Sequence, residues 1–273
     1  MLLFSNIYKY VLYTYYMQET KFTHTISRGS RYNQIYIPKE MSSTFQVGDI
    51  VEIKLIEKKS QLYYSKNLSK LGEFKERLIR EIFSFLSTNK EIKQIFMFGS
   101  FLTKDVDYKD IDIILVSEKE IEEQVYNALI KKFSLKFHII SIPEKGLEES
   151  LKFSPMTRSM LYYFVSNKPF TVSKEIKVEK NHLLYLLMLP EDVLNIDIGT
   201  KMLYSSLRRL VTMGAFLENK EIAPDKIDNE LIKDLGEFIL DRIKEGESLG
   251  DKNLEKVRKI IKIRLNRVKK HLK

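Results

Sequence analysis

The sequence has no cysteine. Disulfides, thiolate metal sites and cysteine nucleophiles are excluded, and a reducing, cytoplasmic location is expected. No apolar run is long enough for a stable membrane span. The nearest candidate, residues 1–16, is short and rich in tyrosine. It also lacks the basic N-terminal region and small-residue cleavage site of a signal peptide. It reads as a surface element, an interfacial anchor or an over-extended start, with Met17 the expected beginning.

A chain of 273 residues has room for two modest domains, or one large domain with a helical extension. An apolar share of 44% supplies real cores, and a charged share of 30% supplies a hydrated surface. The net charge of +9 is unevenly placed: residues 251–273 carry ten Lys or Arg against two acids, leaving the rest close to neutral. This basic helix is a solvated face or a contact for nucleic acid or an acidic partner.

Residues 95–116 organise the chain. An apolar run over 95–98 has the length of a buried strand and stops at Gly99-Ser100. Glycine there lets the backbone turn sharply and approach a ligand. Nine residues later a second apolar strand begins with Asp110 and Asp112. Strand side chains alternate, so both carboxylates face one way. Paired acids at the start of an apolar strand repel and resist burial, and a divalent cation relieves both costs. Apolar residues at Leu71, Phe74, Leu78, Ile82, Phe85 and Leu86 predict a helix over 71–86 before the first strand. A helix over 121–133, a strand over 135–142, a helix over 147–153 and an apolar run over 161–165 follow. Residues 58–70 are polar and read as a linker.

Hydrophobic-Gly-Ser, a spacer, then Asp-hydrophobic-Asp-hydrophobic resembles the signature of the nucleotidyltransferase superfamily that includes DNA polymerase β, and most closely its minimal prokaryotic members. The resemblance spans about residues 71–170. It implies that Gly99 and Ser100 hold a nucleoside triphosphate and that Asp110 and Asp112 bind Mg2+ (or Mn2+). It further implies transfer of a nucleoside monophosphate to an acceptor hydroxyl. Where minimal members carry Arg and Ser around the turn and before the first Asp, this chain has Lys104 and Lys109. Either lysine would serve phosphate as a point charge. Asp105 and Asp107 in the spacer read as turn residues. The family carries a third carboxylate on a later strand. The matching strand, 135–142, contains no acid, and His138 stands about where that acid is expected. His138 is an ordinary strand residue, or a base or ligand.

Residues 22–58 read as a β-rich module, with alternation over 23–26, 34–37 and 50–56. The run Ile-Ser-Arg-Gly-Ser-Arg, Ile-Tyr-Ile-Pro-Lys-Glu-Met and Val-Gly-Asp-Ile-Val-Glu-Ile resembles the AbrB/MazE swapped-hairpin DNA-binding domain. That implies an intertwined homodimer presenting Arg28, Arg31 and Lys39 to DNA, or a module for dimerisation alone. A second functional reading follows: a DNA-binding regulator of antitoxin type with a degenerate, nucleotide-sensing central domain. Residues 180–273 look all-helical, with Pro190 restarting a helix and one helix over 231–243. A helical bundle beside a minimal nucleotidyltransferase resembles HEPN partners. Arg264 and His271 have about their Arg–His spacing, but at the end of a basic helix, so a ribonuclease role is not carried over. The expected class is α+β: an extension at 1–21, a β-module at 22–58, a central mixed sheet with flanking helices at 71–170, and a helical region at 180–273.

Overall fold

The computed structural model describes residues 21–56, 58–103, 108–196 and 199–272. The expectations for residues 1–16, Met17, Lys104, Asp105 and Asp107 therefore lie outside the described residues. The chain divides into two compact units, with the boundary between Lys54 and Leu55.

In the N-terminal unit, β1 (Ser27–Arg28) pairs antiparallel with β2 (Asn33–Gln34). The hairpin is shorter than alternation predicts, and residues 50–56 form no strand among those described. A strand needs a neighbour for its backbone groups, and a lone two-residue hairpin is a poor template. A 3-10 turn, Lys39–Met41, follows Pro38 as the fixed proline φ favours. Gln46 N–H donates to Asp49 Oδ2 at 2.6 Å and closes the next turn. No described residue up to Lys54 is buried.

The second unit holds a five-stranded mixed sheet in the order β3-β7-β4-β5-β6. Its strands are β3 (Tyr63–Tyr64), β4 (Gln94–Phe98), β5 (Ile111–Val116), β6 (Phe137–Ile142) and β7 (Val165–Ser166). β4 and β5 are antiparallel. β5 and β6 are parallel, as a helical crossover between them requires. Alternation splits the sheet into two apolar faces. Ile95, Met97, Ile113 and Leu115 pack with Ile79, Ile82 and Phe83 of α1 (Glu73–Leu86) and with Leu129 of α2 (Glu122–Phe133). Phe96, Phe98, Ile114 and Val116 pack with Leu147 and Leu151 of α3 (Glu144–Phe153) and with Leu161 and Phe164. By the same period, Asp112 belongs to this second face, at its end.

Two expectations change here. The polar stretch 58–70 is not a free linker, because it contributes the edge strand β3. Leu62 is buried beneath it, and Ser65 exchanges hydrogen bonds with Phe164: its N–H donates to the Phe164 carbonyl at 2.9 Å, and its Oγ accepts from Phe164 N–H at 3.1 Å. Phe74 is exposed; Ile79 and Phe83 take the core positions in α1.

A short α4 (Pro155–Met160) precedes β7, and from Lys180 the described elements are all helices: α5 (Lys180–Asn195), α6 (Thr200–Leu217), α7 (Pro224–Leu235), α8 (Glu237–Glu245) and α9 (Asp251–His271). Pro190 does not restart a helix, since α5 runs through it. Proline removes the N–H that would bond the carbonyl four residues back, that of Leu186. Arg209 of α6 donates Nη1 to that carbonyl at 3.2 Å, so the freed acceptor has a partner. The single helix expected over 231–243 is two, broken at Gly236, whose φ of +85° favours glycine. One face of α9, through Val257, Ile261, Leu265 and Val268, is buried as its spacing predicts.

Three basic residues of α9 meet acids from other helices or their ends. Arg264 contacts Glu230 at 2.5 Å and Asp234 at 2.6 Å, Arg267 contacts Glu218 at 2.5 Å, and Lys269 contacts Glu191 at 2.6 Å. Arg264 is thus a tie between α9 and α7, and His271 lies 3.8 Å from Glu218. Among the described residues no helix is long and apolar enough to cross a membrane.

Candidate functional site

The site lies where β4 ends and β5 begins. The antiparallel register sets Phe98 opposite Asp112, so the turn after Phe98 passes directly over the Asp112 side chain. Gly99 adopts φ +81° and ψ −163°. A Cβ on Gly99 would lie 2.0 Å from Asp112 Oδ2 and 3.0 Å from its Cγ. Only a residue without a side chain lets the backbone and this carboxylate approach so closely. Ser100 then opens a single 3-10 turn, Ser100–Leu102, and is itself exposed while Phe101 and Leu102 are buried. The two apolar residues anchor the turn and leave the serine facing water.

On the other side, the parallel register sets His138 of β6 opposite Asp112. The His138 Nδ1 lies 3.0 Å from Asp112 Oδ1. The Asp112 side chain is 19% exposed and that of His138 is 57% exposed. Asp112 thus meets His138 of β6 through Oδ1 and turns Oδ2 toward the space that a Gly99 side chain would fill. Burial holds its carboxyl above the ordinary value of 3.8, the negative charge of Asp110 adds to this, and the contact with His138 opposes it. Asp110 sits one residue before β5 and is half-buried, and Lys109 beside it is exposed.

The fold therefore brings together Gly99, Ser100, Asp110, Asp112 and His138. Among the described residues no three His, Asp or Glu side chains converge as a complete metal cage. Arg28, Arg31 and Lys39 are exposed in the N-terminal unit.

One residue was missed from sequence. Lys75 of α1 donates to the Thr103 carbonyl at 2.8 Å and stands 5.4 Å from the Phe101 ring centre and 5.6 Å from that of Tyr108. It ties α1 to Thr103, at the end of the turn that Ser100 opens, and to the Phe101 and Tyr108 rings. The available signal was a lysine four residues after Leu71 and four before Ile79, on the core-facing side of an apolar helix.

Residues 77–199 match the family model of the nucleotidyltransferase domain. The matched stretch runs from α1 to the residue before α6, and contains both strands, the glycine turn, the two aspartates and His138. No curated relative matches the chain. The nucleotidyltransferase match supports a general nucleotidyl-transfer chemistry for the central domain. The N-terminal unit lies outside it.

Proposed function

We propose that the chain is a divalent-metal-dependent nucleotidyltransferase that moves a nucleoside monophosphate from a nucleoside triphosphate to an acceptor hydroxyl. The observation that carries this reading is the approach of the Gly99 backbone to the Asp112 carboxylate, which gathers phosphate-binding and metal-binding groups at one strand end. The donor set suits the ion. Asp112 ionises against burial and against Asp110, and a divalent cation between them removes both penalties. Asp110 and Asp112 would hold Mg2+ or Mn2+, which bind through a few carboxylates and complete their shells with phosphate oxygens and water. When bound, the ion neutralises charge on the phosphates and on the leaving oxygen.

The protein's own groups do the positioning. The Ser100 hydroxyl and nearby backbone N–H groups donate hydrogen bonds to the triphosphate oxygens, and Lys109 adds positive charge beside Asp110. The acceptor oxygen bonds to the α-phosphorus as the bond to the bridging oxygen breaks; pyrophosphate leaves with that electron pair, and the hydroxyl proton passes to water. Such a reaction depends on alignment and charge more than on covalent help. The test is incubation with each of four α-labelled nucleoside triphosphates, Mg2+ or Mn2+, and cell extract as the acceptor source. Label on an acceptor is expected, and its loss in Asp110→Ala. Absence of transfer by the wild type, or transfer indifferent to that substitution, would overturn the reading.

The N-terminal unit favours a second property, self-association of the swapped-hairpin kind, with Arg28, Arg31 and Lys39 available to DNA. Val47, Ile50 and Ile53 are 109%, 99% and 68% exposed in a unit where no described residue is buried. Exposed apolar side chains at this density mark an association surface. Residues 50–56, whose alternation is strand-like and which form no strand among the described residues, would find their ladder on a second copy. Sedimentation of the full chain is expected to give a dimer, and Ile50→Asp with Ile53→Asp a monomer. An unchanged mass in the double variant would refute the assignment.

A further inference from the structure

His138 of β6 stands opposite Asp112 of β5, and the geometry of the pair offers more than a hydrogen bond. The Nδ1 atom stands 3.0 Å from Asp112 Oδ1 across the parallel register. Two donors on one octahedral ion, each about 2.1 Å from it and at right angles, also stand about 3.0 Å apart. The pair is therefore spaced to share either a proton or an ion. With 57% of its side chain exposed, His138 is open to an ion arriving from solvent, while the 19% exposure of Asp112 fixes the partner in place.

We propose that His138 Nδ1 is a direct ligand beside Asp112, and that this site prefers a divalent transition ion to magnesium. The inference rests on the metal-dependent reading above. Carboxylates and phosphates serve Mg2+ and Mn2+ alike, so they do not discriminate. Imidazole does: magnesium keeps hard oxygen ligands, whereas first-row transition ions accept nitrogen. An imidazole nitrogen beside Asp112 thus changes which ion that carboxylate holds. The alternative is a histidine that only donates a hydrogen bond to Asp112 and leaves ion choice to the oxygens.

The full chain is titrated with Mn2+ alone and with Mg2+ alone by calorimetry, and the Mn2+ complex is examined by pulsed electron paramagnetic resonance for nitrogen coupling. Mn2+ is expected to bind more tightly than Mg2+, with a clear imidazole nitrogen signal. Groups that merely orient a ligand are worth 10–100-fold in metal affinity, so His138→Ala is expected to weaken Mn2+ by at least about tenfold. His138→Asp, which restores an oxygen, is expected to abolish the nitrogen signal and recover Mg2+ binding. Mn2+ that depends on Asp112 but shows no nitrogen coupling would overturn the ligand role and leave the transfer reading standing. Mn2+ binding equal in wild type and Asp112→Ala would overturn both. Circular dichroism melts of each variant separate lost binding from lost folding.

Discussion

Asp112→Asn is expected to reduce nucleotidyl transfer by about a thousandfold, the scale of losing a preorganised electrostatic group, while raising the melting temperature at neutral pH. Both effects arise from one charge. Asparagine keeps the size and still accepts a hydrogen bond from His138, so packing between β4 and β6 is unchanged. It lacks the negative charge that an ion requires. For stability, burial and Asp110 raise the Asp112 pKa, and these outweigh the opposing contact with His138, because the net direction is upward from 3.8. A carboxyl with a raised folded pKa keeps its proton in the native state after the unfolded chain has lost its own. Stability therefore falls as pH rises from the ordinary value through the folded one, and the penalty is fully present above both. The gain in Asp112→Asn should be largest near pH 7.5 and should shrink as pH is lowered through that window. Initial rates with labelled nucleotide and thermal melts across pH 7.5 to 4 measure the two effects. A variant that loses activity and also melts lower at neutral pH would show that Asp112 is not paying a desolvation penalty. Active-site groups that cost stability to keep are a known trade-off.

The site was legible because its constraints are local. Gly99-Ser100, the spacing to Asp110 and Asp112, and the apolar strands on either side each have one physical meaning, and they agree. The position of His138 also followed from order, since a strand–helix–strand unit brings the next strand parallel and alongside. What escaped was set by tertiary partners. Tyr63–Tyr64 forms a strand only because β7 offers it an edge and Ser65 exchanges bonds with Phe164. Nothing in a polar stretch announces such an edge. Pro190 stays inside α5 although local rules favour a break there, because Arg209 supplies a donor to the Leu186 carbonyl from another helix. Arg264 looked like part of a basic surface until Glu230 and Asp234 were placed beside it. Residues 50–56 failed in the opposite sense: their alternation is strand-like, but the described residues of one chain provide no neighbour to pair with.

Gly99→Ala is expected to be as damaging to transfer as loss of the aspartate, and it differs by lowering stability as well. Two costs add. At φ +81° an alanine takes a conformation that L-residues rarely adopt, worth about 1–3 kcal/mol. Its Cβ would also enter the space of Asp112 Oδ2, at 2.0 Å. The carboxylate can escape only by rotating about its short side chain. Asp112 Cγ and Cβ, at 3.0 and 3.3 Å, are also close to the new methyl group, and rotation gives up the 3.0 Å contact with His138. The clash thus falls on the group that the proposed chemistry uses. The two costs separate in a double-mutant cycle. In an Asp112→Ala background the carboxylate is gone, so Gly99→Ala should cost its backbone strain and the tight 3.3 Å contact with the remaining Cβ, but no longer the clash with the carboxylate. A coupling of about 1–3 kcal/mol between the positions is expected, within the range found for side chains in contact. Additive stabilities would mean that glycine is required at position 99 for its φ alone. The close approach would then have no part in building the site. Coupling of the expected size would tie the turn and the Asp112 carboxylate into a single unit, in which Gly99 acts by leaving room for Asp112.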